Sequence, residues 1–362
     1  TVLGILVIFF LGTIYSLFMD MNNIASMNQK YNIMYSDFED KRKVPDDKLT
    51  ELINDNKLKL KNKVCIEYLY PLVEDDFSSE YQPILSKSIY NNLTNSNLAI
   101  NSGEIVRLNM NGDKDKPLPE VYPFDTFTLK FGNEIFSFKF KAPEERNIVI
   151  NYDVQPSKWL LIINDDDFEK IKSEVNINFK RVFIAIDFYE WKETSQLVHD
   201  IKKELDYEDE YSKYPVNDER NKDILGISSR IDYYNTIKKE LSMTLFIVAF
   251  LGGVFLLCSG SITYFKIITN ITEKKEKYIK LRKIGITKNE FKKMIKSELK
   301  VIFFIPLVFS SVISTILIYI LYISSLYPER FSRNMLLVII YYSFFQVIYY
   351  LLAKMKYIKS II

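Results

Sequence analysis

Four long apolar runs without a charged residue, Thr1 to Met19, Leu241 to Phe265, Val301 to Ile323 and Met335 to Ala353, constrain this chain more than any other feature. Each has roughly the 17–25 residues that cross a hydrocarbon core of about 30 Å as a helix. A single run of this kind is compatible with a buried core helix; four are not what a soluble domain carries. The first run does not read as a signal peptide, which would open on Met and a basic region. Thr1 already lies inside the apolar run, so further residues are expected before it.

Between the first and second runs lies a polar segment, 20–240, long enough for one or two domains with their own core. The expected fold is therefore a multi-pass α-helical membrane protein with four spans (1–19, 241–265, 301–323, 335–353). A large extracellular α+β domain sits between spans one and two. A cytoplasmic basic segment (266–300), a short outer loop (324–334) and a cytoplasmic tail (354–362) complete it. The orientation follows from charge. From Lys266 to Lys300 there are about twelve Lys or Arg against four Glu, and Lys354, Lys356 and Lys359 face no acid in the tail. Short loops rich in Lys and Arg stay in the cytoplasm. The polar segment carries about 31 basic and 41 acidic residues, so its net charge is opposite in sign to that of the remainder. An acidic outer surface attracts cations, cationic peptides among them, or simply keeps a domain soluble.

Period-two patterning predicts strands at Val64–Tyr70, Glu104–Met110, Thr126–Phe131, Ile135–Phe140, Ile148–Tyr152, Trp159–Ile163 and Val182–Phe188. Helices are expected at Asp46–Asn54, Ile84–Leu93, Phe168–Ser173, Trp191–Leu205 and Ser228–Glu240, the last running into the second span. Asp165, Asp166 and Asp167 read as caps of the Phe168 helix rather than a cation site. His199 reads as a lone surface residue. Cys65 and Cys258 fall in different compartments and do not pair. No phosphate-binding G-x-x-x-x-G-K-[ST] loop is present. No catalytic residue, no metal site, no cofactor and no nucleic-acid partner are expected in this chain. Within the spans, Ala249 and Gly253 form a small-x-x-x-small pair suited to close helix packing. Pro306 is expected to kink the third span. Gln346 is the one strongly polar residue of the fourth.

The basic segment is more than a charge signal. Ile271, Tyr278, Leu281 and Ile284 recur near helical spacing, and Gly285 is the residue type that closes helices in a positive-φ conformation. Thr287 with Glu290 three residues on is a capping box, and Phe291, Met294 and Ile295 give the next helix an apolar stripe. The pattern predicts helix, break at Gly285–Ile286, helix. Such an element lies flat in lipid headgroups or docks in a groove of a partner protein, and the residues alone leave both open.

The stretch SITYFKIITNITEKKEKYIKLRKIGITKNEFKKMIKSELKVIFFIPL, Ser261 to Leu307, resembles the FtsX-like permease family of ABC transporters, most closely its bacitracin-resistance branch. The carrying residues are Tyr278, Leu281, Arg282, Lys283, Ile284, Gly285, Ile286 and Thr287, followed by a span with Pro306. PILSKSIYNNL, INSGEIVRL and WLLIINDDDFEKI in the polar segment add looser matches. The resemblance implies the C-terminal half of a ten-span permease of a bacterial cell membrane, with about six spans ahead of Thr1. It implies partner ABC ATPase subunits carrying ATP and Mg, contacted by the segment from Tyr278 to Phe291. It further implies removal of a peptide antibiotic from cell-wall lipid intermediates, recognition of the peptide or its lipid complex by the outer domain, contact with membrane lipid, and signalling to a histidine kinase. A lipoprotein-releasing, efflux or wall-hydrolase-controlling permease of the same family is the alternative. A non-transporting membrane receptor is the alternative of another class.

Overall fold

Alternation of apolar residues builds the polar segment into a sheet with both faces covered. In the strand Lys180–Phe188, Val182, Ile184 and Ile186 enter one core cluster, while Phe183 and Ala185 enter another on the opposite face. The strand Ile33–Phe38 does the same with Ile33 and Tyr35 on one side and Met34 on the other. A computed structural model of the chain describes residues 2–74, 79–109, 126–142, 151, 154, 159–207, 225–269, 271–322 and 328–361. It divides into two units, one formed by Asn23–Asn235 and the other by Thr1–Asn22 with Thr236–Ile362.

The first unit contains strands β1 (Ile33–Phe38), β2 (Leu60–Leu69), β3 (Leu72–Glu74), β4 (Ser79–Tyr81), β5 (Ile84–Ser86), β6 (Glu104–Asn109), β7 (Thr126–Phe131), β8 (Glu134–Phe140), β9 (Trp159–Ile163), β10 (Lys180–Phe188) and β11 (Ile227–Ser229). Among the described residues they form one mixed sheet in the order β11-β1-β10-β2-β5-β9-β6-β8-β7-β3-β4. The pairs β5–β9 and β6–β8 are parallel. Helices α1 (Val2–Met19) and α2 (Met21–Asn28) precede the sheet; α3 (Asp46–Asp55), α4 (Lys87–Thr94), α5 (Asp165–Glu174) and α6 (Ser195–Glu204) lie within the unit. Leu49, Leu52, Leu197, Val198 and Ile201 of α3 and α6 bury against β1 and β10. Phe168 and Ile171 of α5 pack with Ile105, Phe127 and Leu161.

β1 is absent from the sequence reading because Ser36 and Asp37 interrupt its apolar pattern. Both are fully buried with partners. The Ser36 hydroxyl bonds the Tyr68 hydroxyl. The Asp37 carboxylate accepts backbone N–H groups of Phe38 (2.8 Å), Lys43 (2.9 Å) and Val44 (3.0 Å). The helix expected over Ile84–Leu93 begins only at Lys87, because Ile84–Ser86 pairs as a strand with β9 and Ser86 caps the helix, accepting from Ile89 N–H. The helix expected over Trp191–Leu205 breaks at Thr194 into a single 3-10 turn and α6, which carries the exposed His199. Of the strand expected at Ile148–Tyr152 only Asn151 is described, buried and outside any strand, and the end of the strand expected at Glu104–Met110 lies outside the described residues.

The three aspartates are not the cap of α5. Asn164 is the cap, accepting from Asp166 N–H at 3.0 Å, and the aspartates form the first turn. Asp165 instead accepts from the backbone N–H (2.9 Å) and hydroxyl (2.7 Å) of Ser88. Asp167 accepts from Ser102 hydroxyl (2.8 Å) and Gly103 N–H (2.7 Å). Partial burial acts to raise the Asp165 pKa, yet the Ser88 hydrogen bonds, with help from Ser86 and Lys87, hold it below the usual value. A carboxylate depressed on folding stabilises the fold above its unfolded pKa and loses that contribution as pH falls through the folded value. Asp165→Asn is therefore expected to lower the melting temperature near neutral pH, with the difference from wild type shrinking progressively as pH falls below about 3.8. A thermal-melt series followed by tryptophan fluorescence checks it; a constant difference across that range contradicts it.

The chain enters and leaves this unit side by side, since β11 pairs antiparallel with β1. The Arg230 guanidinium donates to the carbonyls of Gln29 (2.8 Å) and Lys30 (2.8 Å), and the Ser228 hydroxyl donates to the Gln29 side chain at 2.6 Å. The helix expected from Ser228 thus starts two residues later, after a short strand, and α7 runs from Arg230 to Thr269.

The second unit is helical: α1, the rest of α7, α8 (Ile271–Lys283), α9 (Lys288–Tyr322) and α10 (Pro328–Ile361). Among the described residues, four helices are long and apolar enough to cross a membrane: Val2–Met19, Arg230–Thr269, Lys288–Ile320 and Arg333–Lys356. α1, α9 and α10 pack together. A Cβ at Gly4 would stand 2.7 Å from both the Ser310 and Tyr342 oxygens, so only glycine allows this approach. The Ser314 hydroxyl donates to the Ile5 carbonyl at 3.1 Å. On α7 the contact falls elsewhere than expected. Ala249 and Gly253 are exposed, with nothing within 4 Å of a Cβ built at Gly253. Gly252 and Gly260 are the buried glycines, meeting Val7 and Tyr349. Gly252 and Gly260 are eight residues apart, so two separate contacts take the place of the expected four-residue pair. α9 continues through Pro306, whose carbonyl accepts the Ser310 hydroxyl at 2.7 Å. Having no N–H, Pro306 leaves the carbonyl of Ile302 without its helical partner.

Candidate functional site

The break between α8 and α9 is closed by hydrogen bonds on both sides. α8 ends at Lys283, and Gly285 takes φ +102°. Its N–H reaches the Arg282 carbonyl (3.1 Å), and the Ile286 N–H reaches the Leu281 carbonyl (3.2 Å). These are the two bonds of a Schellman motif, which satisfies the last carbonyls of a helix and needs a positive-φ residue at this place. The apolar contact that accompanies the motif is also present, since Leu281 and Ile286 both pack on one cluster.

α9 opens on a complete capping box. The Glu290 N–H donates to the Thr287 hydroxyl oxygen (3.3 Å). The Glu290 carboxylate in turn accepts from the Thr287 N–H (2.9 Å) and hydroxyl (2.8 Å). Two helix ends four residues apart are thus each satisfied locally, and the turn between them has few free torsions.

Packing then fixes the turn to the helices around it. Phe291, Ile295, Leu299 and Phe303, one per turn of α9, are buried with Ile267 of α7 and Tyr350 and Ala353 of α10. The stripe expected at Phe291, Met294 and Ile295 is realised by the first and third only; Met294 is 52% exposed. On the α8 side Leu281 is half-buried, whereas Ile284 is 81% exposed. Tyr278 lies on α8 but its side chain, like that of Ile271, is outside the described residues. Arg282, Lys283, Gly285, Thr287 and Glu290 are exposed. The outcome is a firmly closed turn that presents one bare isoleucine flanked by a guanidinium and an ammonium. The sequence signals the turn itself, Ile286 included; Leu299 and Tyr350 escape it because their role depends on three helices meeting.

No family model matches the chain. It is similar to the ABC transporter permease protein YxdM of Bacillus subtilis, 24% identical over 199 residues, 54% of this chain and 29% of that protein. It is similar to the uncharacterized ABC transporter permease YvcS of the same organism, 22% identical over 236 residues, 65% of this chain and 34% of that protein. A third relative, the bacitracin export permease protein BceB of B. subtilis, is 41% identical over 80 residues, 22% of this chain and 12% of that protein. The matches thus span about a third or less of each relative's length. With four candidate spans and a mixed-sheet domain, the chain is similar to the ABC transporter permeases, bacitracin export permeases among them.

Proposed function

We propose that this chain is the part of an ABC transporter permease on which a separate ATPase acts, in a system that frees cell-wall lipid intermediates from a peptide antibiotic. The observation that carries the reading is the turn at Ile284–Thr287. It is rigid at both ends, anchored in a three-helix core and exposed at its tip. A lever that receives motion from a partner needs this combination, since a flexible loop would absorb the displacement. The similarity to permeases supports it from outside the fold. Arg282, Lys283, Ile284, Gly285, Thr287, Glu290 and Phe291, with Tyr278 and Leu281 on the approaching helix, form this coupling element. ATP and Mg belong to the partner. The sheet domain is extracellular and takes the peptide or its lipid complex, its acidic surface favouring a cationic ligand. A histidine kinase reads the same complex. The membrane is that of a bacterial cell.

A pull-down of the permease from detergent tests the coupling element. Arg282→Glu with Ile284→Ser alters exposed side chains only. The double variant is expected to lose the ATPase that co-elutes with wild type, as identified by mass spectrometry. An ATPase retained in full moves the contact elsewhere. No ATPase with either protein favours a receptor that does not transport.

A further inference from the structure

Lysines are treated differently in the two units. In the sheet domain they hold ion pairs: Lys63 with Asp46 at 2.8 Å, Lys172 with Glu67 at 2.7 Å and Glu39 at 2.9 Å, Lys202 with Asp232 at 3.2 Å. At the end of the helical unit where α7, α9 and α10 meet, Lys266, Lys293, Lys296 and Lys300 are exposed. Among the described residues these four have no ion-pair partner. They surround the cluster of Ile267, Ile295, Leu299 and Ala353, so they stand at one level of the bundle.

That level is the edge of the apolar zone. Val301, exposed, begins the apolar stretch of α9. At 1.5 Å per residue, Lys300 and Lys296 lie about 2 Å and about 8 Å short of it. The headgroup layer is about 5–8 Å deep on each side of the hydrocarbon core. Lys293, Lys296 and Lys300 also follow the i, i+3, i+7 spacing of one helix face. The ammonium groups of Lys296 and Lys300 therefore stand at headgroup depth, with that of Lys293 about 12 Å from Val301 at its outer edge, in a strip along a face of α9 that carries no carboxylate. Of the acids on α9 near these lysines, Glu290 is turned into its own capping box, and Glu298, although between Lys296 and Lys300 in the chain, projects from the opposite side of the helix.

We propose that this strip binds the headgroups of anionic phospholipids, and that they neutralise Lys296 and Lys300 in the membrane. The strip is distinct from the Ile284 turn, which lies a further turn or more along the chain. The inference rests on the four helices crossing a bilayer. It commits to lipid rather than soluble phosphate or an acidic protein groove, because two of the ammonium groups stand where a soluble partner would have to enter the headgroup layer.

The test measures binding of phosphatidylglycerol and phosphatidylcholine to the detergent-purified protein by native mass spectrometry. Lys296→Gln with Lys300→Gln is compared with Lys296→Arg with Lys300→Arg. Wild type is expected to prefer phosphatidylglycerol, and each lysine removed to weaken that binding about fivefold. The arginine variant is expected to keep it. Soluble glycerol phosphate is expected not to compete. Equal affinity for the two lipids in wild type, or unchanged phosphatidylglycerol affinity in the glutamine variant, overturns the proposal. So does a preference removed by glycerol phosphate or present only with a bound protein partner. If the glutamine variant fails to accumulate, wild type in rising KCl decides: phosphatidylglycerol binding must fall with salt while phosphatidylcholine binding does not. Extraction of the wild-type protein from membranes by alkaline carbonate would instead sink the membrane-spanning reading.

Discussion

Gly285→Val is expected, on the proposed coupling to a separate ATPase, to reduce stimulated ATP hydrolysis at least about tenfold while leaving membrane insertion intact. The physical cause is confined to the backbone. Gly285 holds φ +102°, where a β-branched residue is strained by roughly 1–3 kcal/mol. Nothing described lies within 4 Å of a Cβ at this position, so no steric collision contributes. Relief of the strain requires φ to change sign, which breaks the bonds from Gly285 and Ile286 to Arg282 and Leu281. The helices then lose their fixed mutual angle. Gly285→Asn, which tolerates positive φ better, is expected to lose less. ATPase rates in reconstituted membranes measure the effect. Equal stimulated rates for wild type and Gly285→Val would remove the turn from the coupling path.

The largest stability loss is expected at Asp37→Ala. Its carboxylate is fully buried and ends three backbone N–H groups, two of them from the loop that carries the buried Val44 back to the sheet. Removing it leaves these donors without an acceptor, a cost of about 3–4 kcal/mol. For a unit of this size that corresponds to a drop of about 10 °C in melting temperature. The reporter is unusually clean, because both tryptophans of the chain, Trp159 and Trp191, lie in the sheet unit. A fall of less than about 2 °C contradicts the account.

Asp37 also shows why part of the fold was hidden in the sequence. Strands with an unbroken apolar pattern, alternating in Thr126–Phe131 and continuous on both faces in Trp159–Ile163, were legible to the residue. β1 was not, because its polar residues are buried and satisfied by groups distant in the chain. The three-residue strands β3, β4, β5 and β11 carry too few positions to show a period. Asp165–Asp167 looked like helix caps because acids favour helix starts, but Asn164 competes better and the acids found Ser88, Ser102 and Gly103 in space.

The candidate site divides in the same way. Gly285, Thr287 and Glu290 act through bonds to residues within five positions, so local chemistry determined the break, its closing glycine and its capping box from the sequence by itself. The four apolar runs and the sidedness of charge were likewise set by composition along the chain. Which of Leu281, Ile284, Met294 and Ile295 is buried was decided only when α7, α9 and α10 came together. The same holds for Gly252 and Gly260 standing in for Ala249 and Gly253. A helical stripe is broader than the contact it makes, and the choice of face depends on neighbours far away in sequence. Local hydrogen bonds are written in short patterns of residue types; burial is a property of the assembled helices.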